Sequence, residues 1–249
     1  MSWSVLSAID RWCRLRSPAG QANWPRARPA LPQTCTSIRI VSDRSIPRMP
    51  LHIDYYASLN SPWTHLGAGR IESMAHAAGA TLRIYPVDFG EIFANSGGLP
   101  LPRRSAQRRA YRIQELARWR DHLGIPIHIE PKHFPSSEAL TSVCIVALRE
   151  SVSDQAAIQL AHAVLKAVWQ RELNPGEPDT LAMLIKECGL DPDTVMKLGA
   201  EPRWAERRDA DTKAALERGV FGAPSYVIGD DIFWGQDRLE FVQRRLAKG

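Results

Sequence analysis

No two of the four cysteines in this 249-residue chain stand three positions apart. Cys13, Cys35, Cys144 and Cys188 are too scattered for a Cys-x-x-Cys dithiol or a tetrahedral metal site. The seven histidines lack metal-ligand spacing too. The thiols read as reduced and structural, which fits a cytosolic, cytoplasmic setting. Cys188, after Leu184-Ile185-Lys186-Glu187, reads as a packing residue. No apolar run approaches the length of a transmembrane helix, so a membrane-anchored partner role is not expected. The only glycine pair, Gly97-Gly98, does not open a helix after a strand and so makes no dinucleotide loop. No internal repeat is visible.

A net positive charge is also missing from most of the chain. The formal net charge is +5, yet residues 1–48 carry a net of +6 and the remaining 201 residues a net of −1. The basic balance belongs to the N-terminal stretch and gives no nucleic-acid-binding face. Residues 1–48 hold five prolines and no clear periodicity. They read as a disordered extension, as an Arg-rich transit peptide, or as a non-native extension ahead of a start at Met49, the reading favoured here. No clean apolar segment precedes a small-residue cleavage site, which argues against a secretory signal.

What is present is most informative near the end of the chain. Gly219-Val220-Phe221-Gly222-Ala223-Pro224-Ser225-Tyr226-Val227 reads as a turn into a proline and then a strand. A two-residue turn at Asp230-Asp231, a second strand and a helix should follow. Pro224 fixes its own φ, donates no hydrogen bond and pushes Ala223 into an extended conformation. A cis Ala223–Pro224 bond would hold the Ala223 backbone groups outward, where an extended peptide can pair with them. The thioredoxin fold presents substrate-binding backbone in this way. Near residue 50 the strand 51–57 runs into Asn60-Ser61-Pro62-Trp63-Thr64-His65. There Ser61 and Thr64 stand where a thioredoxin-type enzyme has its two cysteines.

The pattern predicts a helix over 62–78, with Leu66, Ile71, Met74 and Ala75 at helical spacing and Gly79 as its cap. A parallel strand over 81–87 should follow, then a Gly- and Pro-rich loop over 88–104. Residues 105–215 read as helical, broken near Gly124, Pro131–Pro135 and Asn174-Pro175-Gly176. The expected fold is α/β, thioredoxin-like, with β-α-β and β-β-α halves (49–104 and 216–249) and a large all-helical insertion between them.

Four motifs in this order resemble the 2-hydroxychromene-2-carboxylate isomerases and kappa-class glutathione transferases, relatives of the disulfide oxidoreductase DsbA. They are Ser61-Pro62-Trp63, Ala117-Arg118-Trp119 through Gly124-Ile125-Pro126, Val220-Phe221-Gly222-Ala223-Pro224, and Trp234-Gly235-Gln236-Asp237-Arg238-Leu239. The resemblance covers residues 50–246. It implies a glutathione-dependent enzyme acting on a small aromatic substrate, and a homodimer is the expected assembly. Ser61 would stabilise the glutathione thiolate, with help from the positive end of the first helix. Ala223, before Pro224, would pair with the glutathione backbone. Gln236 and Asp237, at the start of the last helix, would hold its γ-glutamyl end. Arg108 would meet its glycine carboxylate. The family's best-known reaction implies thiolate addition to a conjugated carbon, rotation about the resulting single bond, and elimination. Simple conjugation of glutathione, or a redox-inactive binding protein using the Pro224 groove, are the alternatives.

The chain departs from the family at Gly97-Gly98, where Gly-Asn is frequent, so one contact is lost or falls to Asn95. It also carries His65 where an aromatic residue is usual. His65 reads either as a proton shuttle near pH 7 or as a partly exposed, ordinary histidine. Simpler roles stand beside the functional ones. Ser61 is a good N-cap. Asp237 suits a helix first turn, where Arg238 could pair with it. Arg103, Arg104, Arg108 and Arg109 suit a solvated helix face. Trp119, Trp169 and Trp204 suit the packing of the insertion.

Overall fold

In the computed structural model of the protein, residues 51–248 are described; the expectations for residues 1–48 fall outside them. Strand β1 (His52–Tyr56) leads into α1 (Pro62–Ala78) and the parallel strand β2 (Thr81–Tyr85). Strands β3 (Ser225–Ile228) and β4 (Asp231–Trp234) form a hairpin, and β3 pairs antiparallel with β1. The sheet order is β2-β1-β3-β4. Tyr55 stands opposite Ile84 on one side and Tyr226 on the other. As a central strand, β1 buries Ile53, Asp54, Tyr55 and Tyr56, a run too continuous for a strand with one wet face.

Six helices lie between β2 and the hairpin beyond α2 (Phe89–Ser96): α3 (Ala106–Leu123), α4 (Ala139–Ser151), α5 (Asp154–Arg171), α6 (Pro178–Glu187), α7 (Pro192–Gly199) and α8 (Pro202–Glu217). Helix α9 (Leu239–Lys248) closes the described chain. Their ends follow local chemistry. Proline opens α1, α6, α7 and α8, where its missing N–H costs nothing. Gly79 and Gly124 end α1 and α3 at positive φ.

The insertion does not form a separate lobe. Ile145 and Leu148 of α4 and Leu160, Ala161 and Val164 of α5 share one core with Ile53, Tyr55 and Ile84 of the sheet and Ile71 of α1. Each fully buried Leu or Ile contributes about 1.5–3 kcal/mol, so sheet and insertion hold one another. Arg149 of α4, 3 % exposed, donates to Ile84 O at 3.0 Å and to Asp211 of α8 at 2.5 Å.

Three local expectations are corrected. The presumed loop over 88–104 contains α2, capped by Asp88, which accepts from Gly90 N–H at 2.7 Å, and anchored by buried Phe89 and Ile92. The hairpin turn falls at Gly229-Asp230, one residue early, because Gly229 tolerates φ +61. Strand β2 stops at Tyr85, before Pro86.

Candidate active site

The turn after β1 is fixed from the insertion. The Asn60 side chain donates to Ser136 O at 2.8 Å and accepts from Ser136 N–H at 2.9 Å. Glu138 accepts from Asn60 N–H and from the Ser58 hydroxyl, both at 2.8 Å. This clamp sets Ser61 at the N-cap of α1, with φ −80° and ψ 123°. The Ser61 hydroxyl accepts from Thr64 N–H at 3.3 Å. Thr64 itself is fully buried, and its hydroxyl has no partner among the described residues.

Two adjoining cavities open beside this turn. The smaller, about 340 Å³, is walled by Trp63, Trp119, Ala223, Gly235, Gln236 and Asp237. The larger, about 650 Å³, adds Phe93, Leu99, Phe221, Arg104 ahead of α3, and the α3 flank with Arg108 and Arg112. They meet at Trp63, Tyr111, Glu115, Ala223 and Trp234, so Ala223 stands at their junction. The Ala223–Pro224 bond is cis, as is Phe134–Pro135. Pro224 O accepts from Gly235 N–H at 2.8 Å, while neither backbone group of Ala223 has a partner among the described residues. Gly222 is needed here because a Cβ would run into the Trp234 indole.

Of the residues singled out from the sequence, Ala223, Gln236, Asp237 and Arg108 line this pair of cavities. Ser61 is half-buried and lines neither; its neighbour Trp63 lines both. Pro224 is buried behind Ala223. Gln236 and Asp237 lie in a 3-10 turn, Gln236–Arg238, with α9 beginning only at Leu239. Gln236 is 1 % exposed, and Arg70 of α1 donates to its Oε1 at 2.5 Å and to its backbone O at 3.3 Å. Its Nε2 is buried with no partner among the described residues. Asp237 faces Arg238 at 3.6 Å, and both are half-exposed. Of the arginine group, Arg104 and Arg108 reach the cavity, whereas Arg109 turns back to Arg104 O at 2.8 Å.

His65 is neither a poised shuttle nor a partly exposed residue. It is 5 % exposed, and its Nε2 lies 3.3 Å from Pro126 O and 3.1 Å from Gln170 Nε2. Burial pulls its pKa down to about 4, only partly opposed by the Pro126 carbonyl. It is neutral at physiological pH. Trp169 and Trp204 are core residues, but Trp119 is half-buried on the cavity wall. Asn95 donates to Glu91 O of its own helix at 2.9 Å and does not line the cavities, which Gly98 does.

Arg70, Tyr111, Arg112 and Glu115 had no motif to announce them. A readable signal existed for α3 alone: Arg108 and Arg112 stand four residues apart, as do Tyr111, Glu115 and Trp119, with Arg104 just ahead of the helix. The wall they form carries three guanidinium groups and one carboxylate. That carboxylate, Glu115, is already 2.6 Å from Arg118. Beneath the site, burial drives the stacked Tyr55 and Tyr226 hydroxyls to higher pKa, so both stay neutral. No group of three potential metal ligands occurs among the described residues. No described helix is long and apolar enough to cross a membrane.

The family described as DSBA-like thioredoxin domain matches residues 52–247. The 2-hydroxychromene-2-carboxylate isomerase of Sphingobium xenophagum is 30 % identical over 196 residues, 78 % of this chain and 97 % of its own length. The enzyme of the same name from Pseudomonas putida is 26 % identical over 197 residues, covering 79 % and 94 %. A solved 2-hydroxychromene-2-carboxylate isomerase superposes with a TM-score of 0.67 at 26 % identity, over 79 % of this chain and 95 % of that one. The cytosolic disulfide reductase DsbM of Pseudomonas aeruginosa, solved with GSH, shares the fold at a TM-score of 0.55 and 14 % identity, over 79 % of this chain and 100 % of that one.

Proposed function

The chain belongs to the DSBA-like thioredoxin family, alongside the 2-hydroxychromene-2-carboxylate isomerases, and from that premise we propose that it is a glutathione-dependent isomerase of that type acting on a small conjugated aromatic substrate. The observation that carries the reading is the Ala223 edge. Unpaired backbone groups stand at the junction of two cavities, beside a helix start that holds Ser61 and Thr64 instead of two thiols. A thiol must then come from outside, and a backbone edge suits a peptide that carries one.

The residues present fit glutathione. Ala223 N–H and C=O can hold an extended peptide. Asp237 suits an ammonium group, and Arg108, with no ion-pair partner among the described residues, suits a carboxylate. The unpartnered Nε2 of Gln236 is a further donor, its orientation held by Arg70. The chemistry glutathione supplies when bound is a thiolate for reversible addition to a conjugated carbon, which lets the adjoining bond turn.

The Ser61 hydroxyl spends a lone pair on Thr64 N–H, so its own proton remains free to donate to a sulfur anion. The positive end of α1 favours the same charge. Both lower the pKa of a thiol held there. Trp63, Phe221 and Trp234 offer flat apolar faces to a conjugated substrate, which then sits within reach rather than meeting the thiolate by diffusion. His65, neutral and turned toward Pro126, takes no part in proton transfer.

The test is turnover of 2-hydroxychromene-2-carboxylate, followed by its ultraviolet spectrum, with no thiol, with glutathione and with S-methylglutathione. Turnover is expected with glutathione only. Equal turnover without thiol would remove the reading.

A further inference from the structure

Arg112 lines the larger cavity and, with Phe134 and Glu130, a neighbouring one; unlike the exposed Arg108, it is a half-buried guanidinium with no ion-pair partner among the described residues. It is half-buried on α3, and its Nη2 is buried with no partner among the described residues. Its guanidinium carbon lies 5.4 Å from the Phe134 ring centroid and 5.9 Å from that of Trp169. These aromatic faces hold the group in place and offer it no hydrogen-bond acceptor. No carboxylate lies within ion-pair distance of it among the described residues; Glu130 is the acidic neighbour, and its charge offsets only part of the cost of burial. Arg104, on the same wall, adds positive charge and spends its Nε on Leu99 O at 2.8 Å. Burial and Arg104 lower the Arg112 pKa to about 10, which leaves it charged at neutral pH.

A buried donor left unpaired is costly unless something fills it. The filler must be anionic, because a rigid fork of N–H donors matches a carboxylate. Its remainder must be flat and largely apolar, because away from the α3 side the larger cavity is walled by Trp63, Phe93, Leu99, Phe221 and Trp234.

We propose that Arg112 is the specificity-determining residue that binds the carboxylate of the conjugated substrate, separately from the carboxylate assigned to Arg108. The proposal rests on the functional reading above. It divides the α3 wall by depth: the exposed Arg108 serves the thiol-bearing peptide, and the half-buried Arg112 serves the molecule being turned over. Substrates without the carboxylate would leave Arg112 unpaired and bind weakly.

The test needs no turnover. Binding of trans-cinnamate and its neutral isostere trans-cinnamamide is followed by quenching of tryptophan fluorescence, since Trp63, Trp119 and Trp234 line the cavities. The full chain is used, with and without saturating S-methylglutathione. Wild type should bind the acid on the order of tenfold or more tighter than the amide, as for hydrogen bonds to a charged group. Arg112→Met should abolish that preference, Arg112→Lys should restore part of it, and Arg108→Met should leave it intact. In turnover, Arg112→Met should raise KM far more than it lowers kcat.

A wild-type protein that does not prefer the acid overturns the proposal, whatever the variants do. So does a preference that survives Arg112→Met or disappears with Arg108→Met. If the preference follows Arg112 but turnover needs no glutathione, the functional reading fails and this assignment stands.

Discussion

Removing the Ser61 hydroxyl separates a structural role from a chemical one. In Ser61→Ala, α1 loses a single cap bond of 3.3 Å, long for a hydrogen bond of this kind. Such a cap contributes about 1 kcal/mol. The turn itself stays clamped by Asn60, Ser136 and Glu138, and Pro62 still opens the helix. For a folded unit of this size, that loss lowers Tm by about 2–4 °C. The chemical loss is larger. A hydrogen bond to a charged sulfur is worth about 1.5–3 kcal/mol, or roughly tenfold to over a hundredfold in rate. Ser61→Ala should therefore fold, bind glutathione with nearly unchanged Kd in calorimetry at a pH where the thiol is protonated, and lose at least about tenfold in kcat. Activity near wild type, beside the small drop in Tm, would make Ser61 a helix cap only and refute the assignment.

Burial lowers the His65 pKa to about 4 from its ordinary 6.5, so the native state favours the neutral ring. Stability from this source is complete above pH 6.5 and is lost as pH falls toward 4, a cost of about 2 kcal/mol at pH 5; the Tm drop between pH 7.5 and 5 should shrink by several degrees in His65→Asn, and an identical drop would contradict the burial argument. Arg149→Met should cost about 3 kcal/mol by chemical denaturation, the low end for a broken buried pair because Arg207 still holds Asp211 at 2.9 Å. A loss under about 1 kcal/mol would show that the Arg149–Asp211 contact carries no stability. In an insulin-reduction assay the protein should show no dithiol turnover, because burial raises the Cys144 thiol to about 11 and also raises Cys188. Turnover that is lost when Cys144 and Cys188 are replaced by serine would refute this.

Much of the fold is readable from local chemistry, and the exceptions have local causes. The β-β-α end announces itself through Pro224 and two short apolar runs, Tyr226–Ile228 and Ile232–Trp234. Helix α2 hides because Gly97, Gly98, Pro100 and Pro102 follow it closely, although the Asp88 cap and the Phe89–Ile92–Phe93 spacing mark it. The site is legible where a motif fixes backbone, as at Ala223, and obscure where it depends on distant packing. Arg70 meets Gln236 across 166 positions, and no local pattern encodes that contact. The burial of His65 is made by Pro126 and Gln170, 61 and 105 positions away. Arg112 becomes conspicuous only once Phe134 and Trp169 are folded against it and no carboxylate is.

The central claim is that this site binds glutathione and holds its thiol as a thiolate. The direct measurement is the ultraviolet absorbance of the bound thiolate against pH, at saturating glutathione, with free glutathione as reference. The account predicts that the bound thiol ionises at least about one pH unit below the ordinary cysteine range near 8.5. Binding with an unshifted thiol pKa, or no binding at millimolar glutathione, would contradict it.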